Sequence, residues 1–210
     1  MKIIILGPFT SGTNLIEKIL NNYKIICNEK IHWKHTINID SLHDLCKIPN
    51  VLIIIMYRNI YNWLKSINRT KYHCEFLNFE SEAYLGNYKH YNVKTKFDNI
   101  IDLYNKYYLN YIDILNNYKN VIYFNYEKII FNNSLSYINN KLHKFNIAIA
   151  SNTLNEVLNK PSKNHGHCVK TNKEMCDSYH IHSDEIKNII ENLSVKKYIN
   201  NDIITYFESE

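Results

Sequence analysis

The sequence predicts an α/β protein in three layers, with helices on both sides of a central, mostly parallel sheet. Three observations carry that expectation. Residues 51–56 (VLIIIM) are a continuous apolar run of strand length, the pattern of a parallel strand covered on both faces. Residues 3–20 (IIILGPFTSGTNLIEKIL) pass from an apolar strand through a turn with two glycines into an amphipathic helix. Short apolar runs then alternate with helical periodicities along most of the chain, which is the arrangement of layered α/β folds.

The elements follow in order. Residues 2–6 form the first buried strand, and Leu15, Ile16, Ile19 and Leu20 give a helix over 13–22. YKIIC (23–27) is predicted as a second strand, 51–56 as the next, and 60–68 as the helix after it. A long helix spans 97–117, with Ile100, Ile101, Tyr104, Tyr108, Tyr111, Ile112 and Leu115 on one side. NVIYFN (120–125) is a further strand, and helices are predicted near 133–144, 151–159, 183–193 and 196–208. Ser183-Asp184-Glu185 is a plausible start signal for the penultimate one. The polar stretches 69–96 and 160–178 lack regular pattern and read as long functional loops. With no repeat or linker, 1–210 reads as one domain, a length that supports a real core.

Composition narrows the classes. Hydrophobic residues at 45% and charged residues at 21% are ordinary for a soluble globular protein. A net charge of +5 favours polyanionic partners only weakly, and neither nucleic acid nor membrane is expected as a partner. The five cysteines are odd in number and irregularly spaced, so free thiols in a reducing compartment are expected. With no leader-like or membrane-spanning segment ahead of the first strand, the expected location is cytoplasmic. Of the 25 lysines and arginines only Arg58 and Arg69 are arginine, so each raises the question of what its bidentate fork holds.

The turn GPFTSGTN resembles a phosphate-binding P-loop, but Gly12 is followed by Thr13 and Asn14 where the nucleoside-triphosphate signature has lysine. A strand feeding a helix start through such a turn directs backbone N–H groups at one spot, and the helix dipole adds positive potential. Ser11, Thr13 and Asn14 add side-chain donors. The loop by itself fits either an anion site or a tight strand–helix turn. Arg58 follows the buried strand 51–56, and Ser66 stands eight residues further on. Strand C-terminal ends are where open α/β sheets bind ligands. Two anion sites side by side would suit a nucleotide phosphorylated at two ends.

On these residues the chain resembles the sulfotransferases that use 3′-phosphoadenosine 5′-phosphosulfate (PAPS). Thr10-Ser11-Gly12-Thr13 is similar to the family's [KR]-[ST]-G-T loop, which binds the 5′-phosphosulfate. Arg58 and Ser66 match, in spacing, the pair that binds the 3′-phosphate, within wording close to R-[ND]-P-x-[DN]-x-[WA]-x-S. FNYEKII (124–130), the long helix before it, the closing Asp202…Tyr206-Phe207 and HWKH (32–35) resemble further family stretches, the last a Trp-Lys-His subgroup. The resemblance implies a P-loop NTPase-like sulfotransferase fold. It implies transfer of a sulfuryl group from PAPS to a hydroxyl acceptor, most readily a carbohydrate or small molecule, with adenosine 3′,5′-bisphosphate as product and no metal required.

By the same resemblance Thr10, Ser11, Gly12, Thr13, Asn14, Arg58 and Ser66 bind the cofactor. Tyr126 lines the adenine pocket, and Lys163 and Gly166 belong to a loop (160–178) that closes over the 3′-phosphate. Thr10 departs from the family, which has a cation there, and Lys34 is the expected substitute. His35 is the expected base, with His32 as the other choice. Residues 69–96, with Lys71, Lys89, His90, Lys94 and Lys96 among aromatics, are the expected acceptor side. His165, His167, Cys168, Cys176, His180 and His182 could bind zinc, but their spacing fits no standard ligand pattern. Two other readings stay open: a nucleotide kinase or NTPase with a degenerate loop, and a non-catalytic protein that binds PAPS or the bisphosphate.

Overall fold

The computed structural model describes residues 1–23, 25, 33–87, 90–131, 135–159 and 183–209. Its centre is a parallel sheet of β1 (Lys2–Leu6), β2 (Val51–Tyr57) and β6 (Val121–Asn125), in the order β1-β2-β6. The register pairs Leu6 with Ile55 and Tyr57 with Asn125, so the three strands end at one edge. Of the predicted strand 23–27, Ile25 forms a parallel bridge to Ile3 on the open side of β1, and 24, 26 and 27 lie outside the described residues.

The apolar runs have a simple cause. Alternate side chains of each strand enter different cores, so every position must be apolar. Ile4, Leu6, Ile53, Ile55 and Tyr57 join one cluster with α2 (Ile39–Cys46), α3 (Ile60–Arg69), α4 (Ile100–Asn117) and α9 (Asn201–Glu208). Ile3, Ile5, Leu52, Ile54 and Met56 join a second with α1 (Thr13–Ile19), α5 (Tyr126–Phe131), α6 (Leu135–His143) and α7 (Ser151–Asn159). Asn99 begins α4 by accepting from the amides of Ile101 and Asp102, each at 3.0 Å, and Asn59 begins α3 by accepting from Tyr61 at 3.0 Å.

Several boundaries differ from the expectation. Helix α2 was not expected; it is two turns long, capped by Asn38, and buries only Leu42, Leu45 and Cys46. The stretch 69–96, expected as loop, forms most of an antiparallel sheet of β3 (Cys74–Glu75), β4 (Ala83–Asn87) and β5 (His90–Phe97), and the long helix predicted from 97 begins at Ile100. Ala83 and Leu85 face the core there, while the register pairs Tyr84 with Lys96 on the outer side. Helix α8 (Ser183–Glu191) stops two residues short of the predicted end. The predicted last helix is split into a 3₁₀ turn (Ser194–Tyr198) and α9, because Asn200 caps the amide of Asp202 at 2.9 Å. Among the described residues no helix is long and apolar enough to cross a membrane. Cys46 and Cys74 are free buried thiols, each pushed up to about 12 by burial, which keeps them protonated and unreactive near neutral pH.

Candidate functional site

The loop from Gly7 to Gly12, Arg58 and Tyr126 stand at the C-terminal ends of β1, β2 and β6, and the sheet register places them at one edge. The loop is held tightly. The Gly7 amide donates to Lys34 O at 3.0 Å, and the Ser11 amide donates to Pro8 O at 3.2 Å. The indole N–H of Trp63 on α3 donates to Phe9 O at 2.8 Å. Thr10 and Gly12 both adopt positive φ, 61° and 97°. A side chain on Gly12 would run into the Tyr126 ring, whose Cε2 lies 2.8 Å from the position a Cβ would take. Glycine there admits both the left-handed backbone and the tyrosine.

The predicted loop ligands divide into two groups. Ser11 is fully buried and its hydroxyl donates to Pro8 O at 2.8 Å, so it braces the turn from inside. Thr13 is buried as well, while Asn14 is exposed on the first turn of α1. Lys34 reaches that turn: its Nζ donates to Asn14 Oδ1 at 2.6 Å and pairs with Glu17 at 3.2 Å.

Arg58 is 3% exposed. Its backbone is fixed by α4, because the Tyr104 hydroxyl donates to Arg58 O at 2.8 Å and the Tyr108 hydroxyl accepts from its amide at 3.0 Å. The guanidinium donates from Nη1 to Thr10 O and lies over the Tyr126 ring, with Cζ 4.5 Å from the centroid. Glu127, one residue beyond Tyr126, accepts from the Asn59 amide at 3.2 Å and from Asn62 Nδ2 at 3.0 Å. Burial pushes its carboxyl upward, while Arg58, Asn59 and Asn62 pull the other way. Ser66 is buried one turn beyond Asn62 on the same face of α3.

His35 is a buried imidazole. Its Nδ1 donates to Gly7 O at 2.6 Å, since a carbonyl only accepts, which leaves Nε2 as the unprotonated nitrogen. Its ring centroid lies 4.0 Å from that of Phe9. Desolvation lowers its pKa to about 3, with Lys34 and His73 adding to the effect and the Gly7 bond opposing it. The expectation of a base poised near neutral pH is therefore corrected: the free protein holds His35 neutral and weakly basic. The consequence for stability has a definite sign. Above pH 6.5 neither state protonates this ring, and between 6.5 and about 3 only the unfolded chain does, so stability falls as pH drops through that window. Chemical denaturation from pH 7 to 5 is expected to show a loss about 2 kcal/mol larger in the native chain than in His35→Gln. Equal pH dependence of the two would contradict the assignment.

Compared with known proteins, the chain matches no family model, no curated protein and no solved structure.

The remaining predicted residues sort by place. His32, Lys163, Gly166, the predicted closing loop and the zinc-capable cluster lie outside the described residues. Trp33 meets Phe9 edge-on at 5.5 Å and packs against the core. On the acceptor side Lys94 pairs with Glu75 at 2.6 Å, Lys96 pairs with Glu82, and Lys71 donates to Phe76 O while lying over that ring. Lys94 and Lys96 are thus paired with carboxylates, whereas Lys71 meets a carbonyl and an aromatic ring; Lys89 lies outside the described residues. Two aromatic residues beside the loop were missed. Tyr72, 57% exposed, stacks on Phe9 at 5.7 Å, and the His73 ring lies 5.6 Å from Phe9. Nothing in KYHC marks them in sequence; the fold brings them to the loop.

Proposed function

We propose that the chain is a PAPS-dependent sulfotransferase of P-loop-like fold, acting on a hydroxyl acceptor of carbohydrate or small-molecule class. The observation that carries the reading is the meeting of a buried arginine with a glycine-containing turn at the C-terminal edge of a parallel sheet, with Ser66 on the adjoining helix. A sulfonucleotide would lie with its phosphosulfate at the loop, its adenine toward Tyr126 and its 3′-phosphate toward α3 and Ser66. In the transfer, the acceptor oxygen forms a bond to sulfur as the bond from sulfur to the phosphate oxygen breaks, leaving adenosine 3′,5′-bisphosphate. Positioning and electrostatic stabilisation supply the catalysis, and this mechanism requires no metal. His35 Nε2 is the proton acceptor in this scheme. As a weak base it takes the proton late, from a hydroxyl already acidified by the arriving sulfuryl group.

The kinase or NTPase alternative and the binding-only alternative predict different turnover. Release of adenosine 3′,5′-bisphosphate from PAPS in the presence of phenolic and carbohydrate hydroxyl acceptors, without Mg²⁺, is the expected result. Mg²⁺-dependent ATP turnover indifferent to a 3′-phosphate would replace the reading with a nucleotide kinase or NTPase. Tight PAPS binding with no release above background would reduce the reading to a binding protein.

A further inference from the structure

Tyr57, Arg58 and Asn59 join β2 to α3, and Glu208, the last residue of α9, grips this joint on both sides of Arg58. The Tyr57 hydroxyl and Asn59 Nδ2 each donate to Glu208 Oε1 at 2.7 Å. We infer that Glu208 is a positioning residue for the 3′-phosphate end of a bound nucleotide, acting through Asn59 on the joint that separates Arg58 from Ser66. The inference rests on the nucleotide reading above and keeps Arg58 and Ser66 as its 3′-phosphate pair.

Three observations support it. Asn59 is a junction: its amide donates to Glu127 Oε2 at 3.2 Å, its Oδ1 accepts from the Tyr61 amide at 3.0 Å to cap α3, and its Nδ2 goes to Glu208. The direction in which α3 leaves β2, and so the place of Ser66 relative to Arg58, is set at this residue. The Arg58 main chain is fixed separately, from α4, by the hydroxyls of Tyr104 and Tyr108, and Glu208 fixes the side chains on either side of it. Lastly, a carboxylate on the final residue of a helix opposes the helix dipole. Docking of α9 does not call for it, because Phe207 is fully buried and stacks on Tyr57 at 4.6 Å. Burial, with the Glu208 charge adding, pushes the Tyr57 hydroxyl far above its ordinary range, so it stays a donor. One carboxylate oxygen that takes both donors fixes them relative to each other, and small displacements of a binding group cost affinity.

The test titrates adenosine 5′-phosphate and adenosine 3′,5′-bisphosphate into the native chain, Glu208→Gln, Glu208→Ala and Glu208→Leu. The readout is the ratio of the two dissociation constants, which measures what the 3′-phosphate adds. In Glu208→Ala and Glu208→Leu this ratio is expected to fall at least about fivefold through weaker bisphosphate binding, while 5′-phosphate binding changes by less than about twofold. Glu208→Gln keeps an oxygen that accepts from both donors and should hold the ratio within about twofold of the native value. Leucine keeps the bulk of the side chain and carries the test should the alanine variant not fold. A smaller fall in the ratio, or equal weakening of both ligands, overturns the inference and leaves Glu208 as an anchor of α9 alone. A glutamine variant as impaired as the alanine one also overturns it. Each of these outcomes leaves the nucleotide reading intact, because the native chain still prefers the bisphosphate. A native chain that binds neither nucleotide, or binds both equally, removes that reading and the inference together.

Discussion

Gly12→Ala is expected to destabilise the chain by about 2–5 kcal/mol and to abolish nucleotide binding at the loop. Two independent costs add. The left-handed backbone at φ 97° costs an alanine about 1–2 kcal/mol. The new Cβ also meets the Tyr126 ring, with Cε2 at 2.8 Å and Cδ2 closer still, and displacing a packed ring costs about 1–3 kcal/mol. Tyr126 cannot move without disturbing Arg58, whose guanidinium lies over it at 4.5 Å. A double-mutant cycle separates the costs. In a Tyr126→Ala background the steric part should vanish, leaving Gly12→Ala with a penalty of about 1–2 kcal/mol in urea unfolding. A full-sized penalty in both backgrounds would show that the ring is not the obstacle.

Trp63→Ala is expected to cost about 3–5 kcal/mol, a large fraction of the stability of a domain this size. Trp63 is fully buried, its ring centroid is 5.2 Å from that of Tyr104, and its N–H holds the Phe9 carbonyl at 2.8 Å. Alanine removes the packing, opens a cavity and leaves that carbonyl without its donor. Trp63→Phe keeps most of the volume and should cost about 1–3 kcal/mol, mainly through the lost hydrogen bond. The Phe9 ring packs on His35 and Tyr72, so both variants should also loosen the mouth of the loop. A cost below about 1 kcal/mol for the alanine variant would contradict this packing.

The parts of the fold that sequence revealed are those where local pattern and tertiary role coincide. Strands 2–6, 51–56 and 120–125 were visible because both faces of the sheet are buried and every position is apolar. The hairpin within 69–96 was hidden because its alternation is short and breaks at a register shift between Gly86 and Asn87, and its outer face carries paired charges. Helix α2 was hidden because a two-turn helix with three buried residues leaves almost no periodicity.

The site was legible in the same uneven way. The tyrosine stripe of α4 read correctly as a buried face. Its hydroxyls do more: Tyr104 and Tyr108 fix the backbone of Arg58, and Tyr107 donates to His35 O at 2.9 Å. Those partners are 46 to 72 residues away in sequence, beyond the reach of any local pattern. Arg58 stood out because arginine is rare in this chain, but its direction depends on the left-handed turn at Thr10, which no residue type announces. His35 was visible as a titratable residue near the loop. Its burial, and so its low basicity, came only with the packing of Phe9 and α4 around it.

Calorimetric titration of the native chain with adenosine 3′,5′-bisphosphate, adenosine 5′-phosphate and ATP with Mg²⁺ tests directly whether the loop edge binds a sulfonucleotide. Saturable 1:1 binding of the bisphosphate is expected, at least about tenfold tighter than the 5′-monophosphate and with no preference for ATP. Binding of ATP with Mg²⁺ tighter than the bisphosphate, or no binding of the bisphosphate at all, would contradict it.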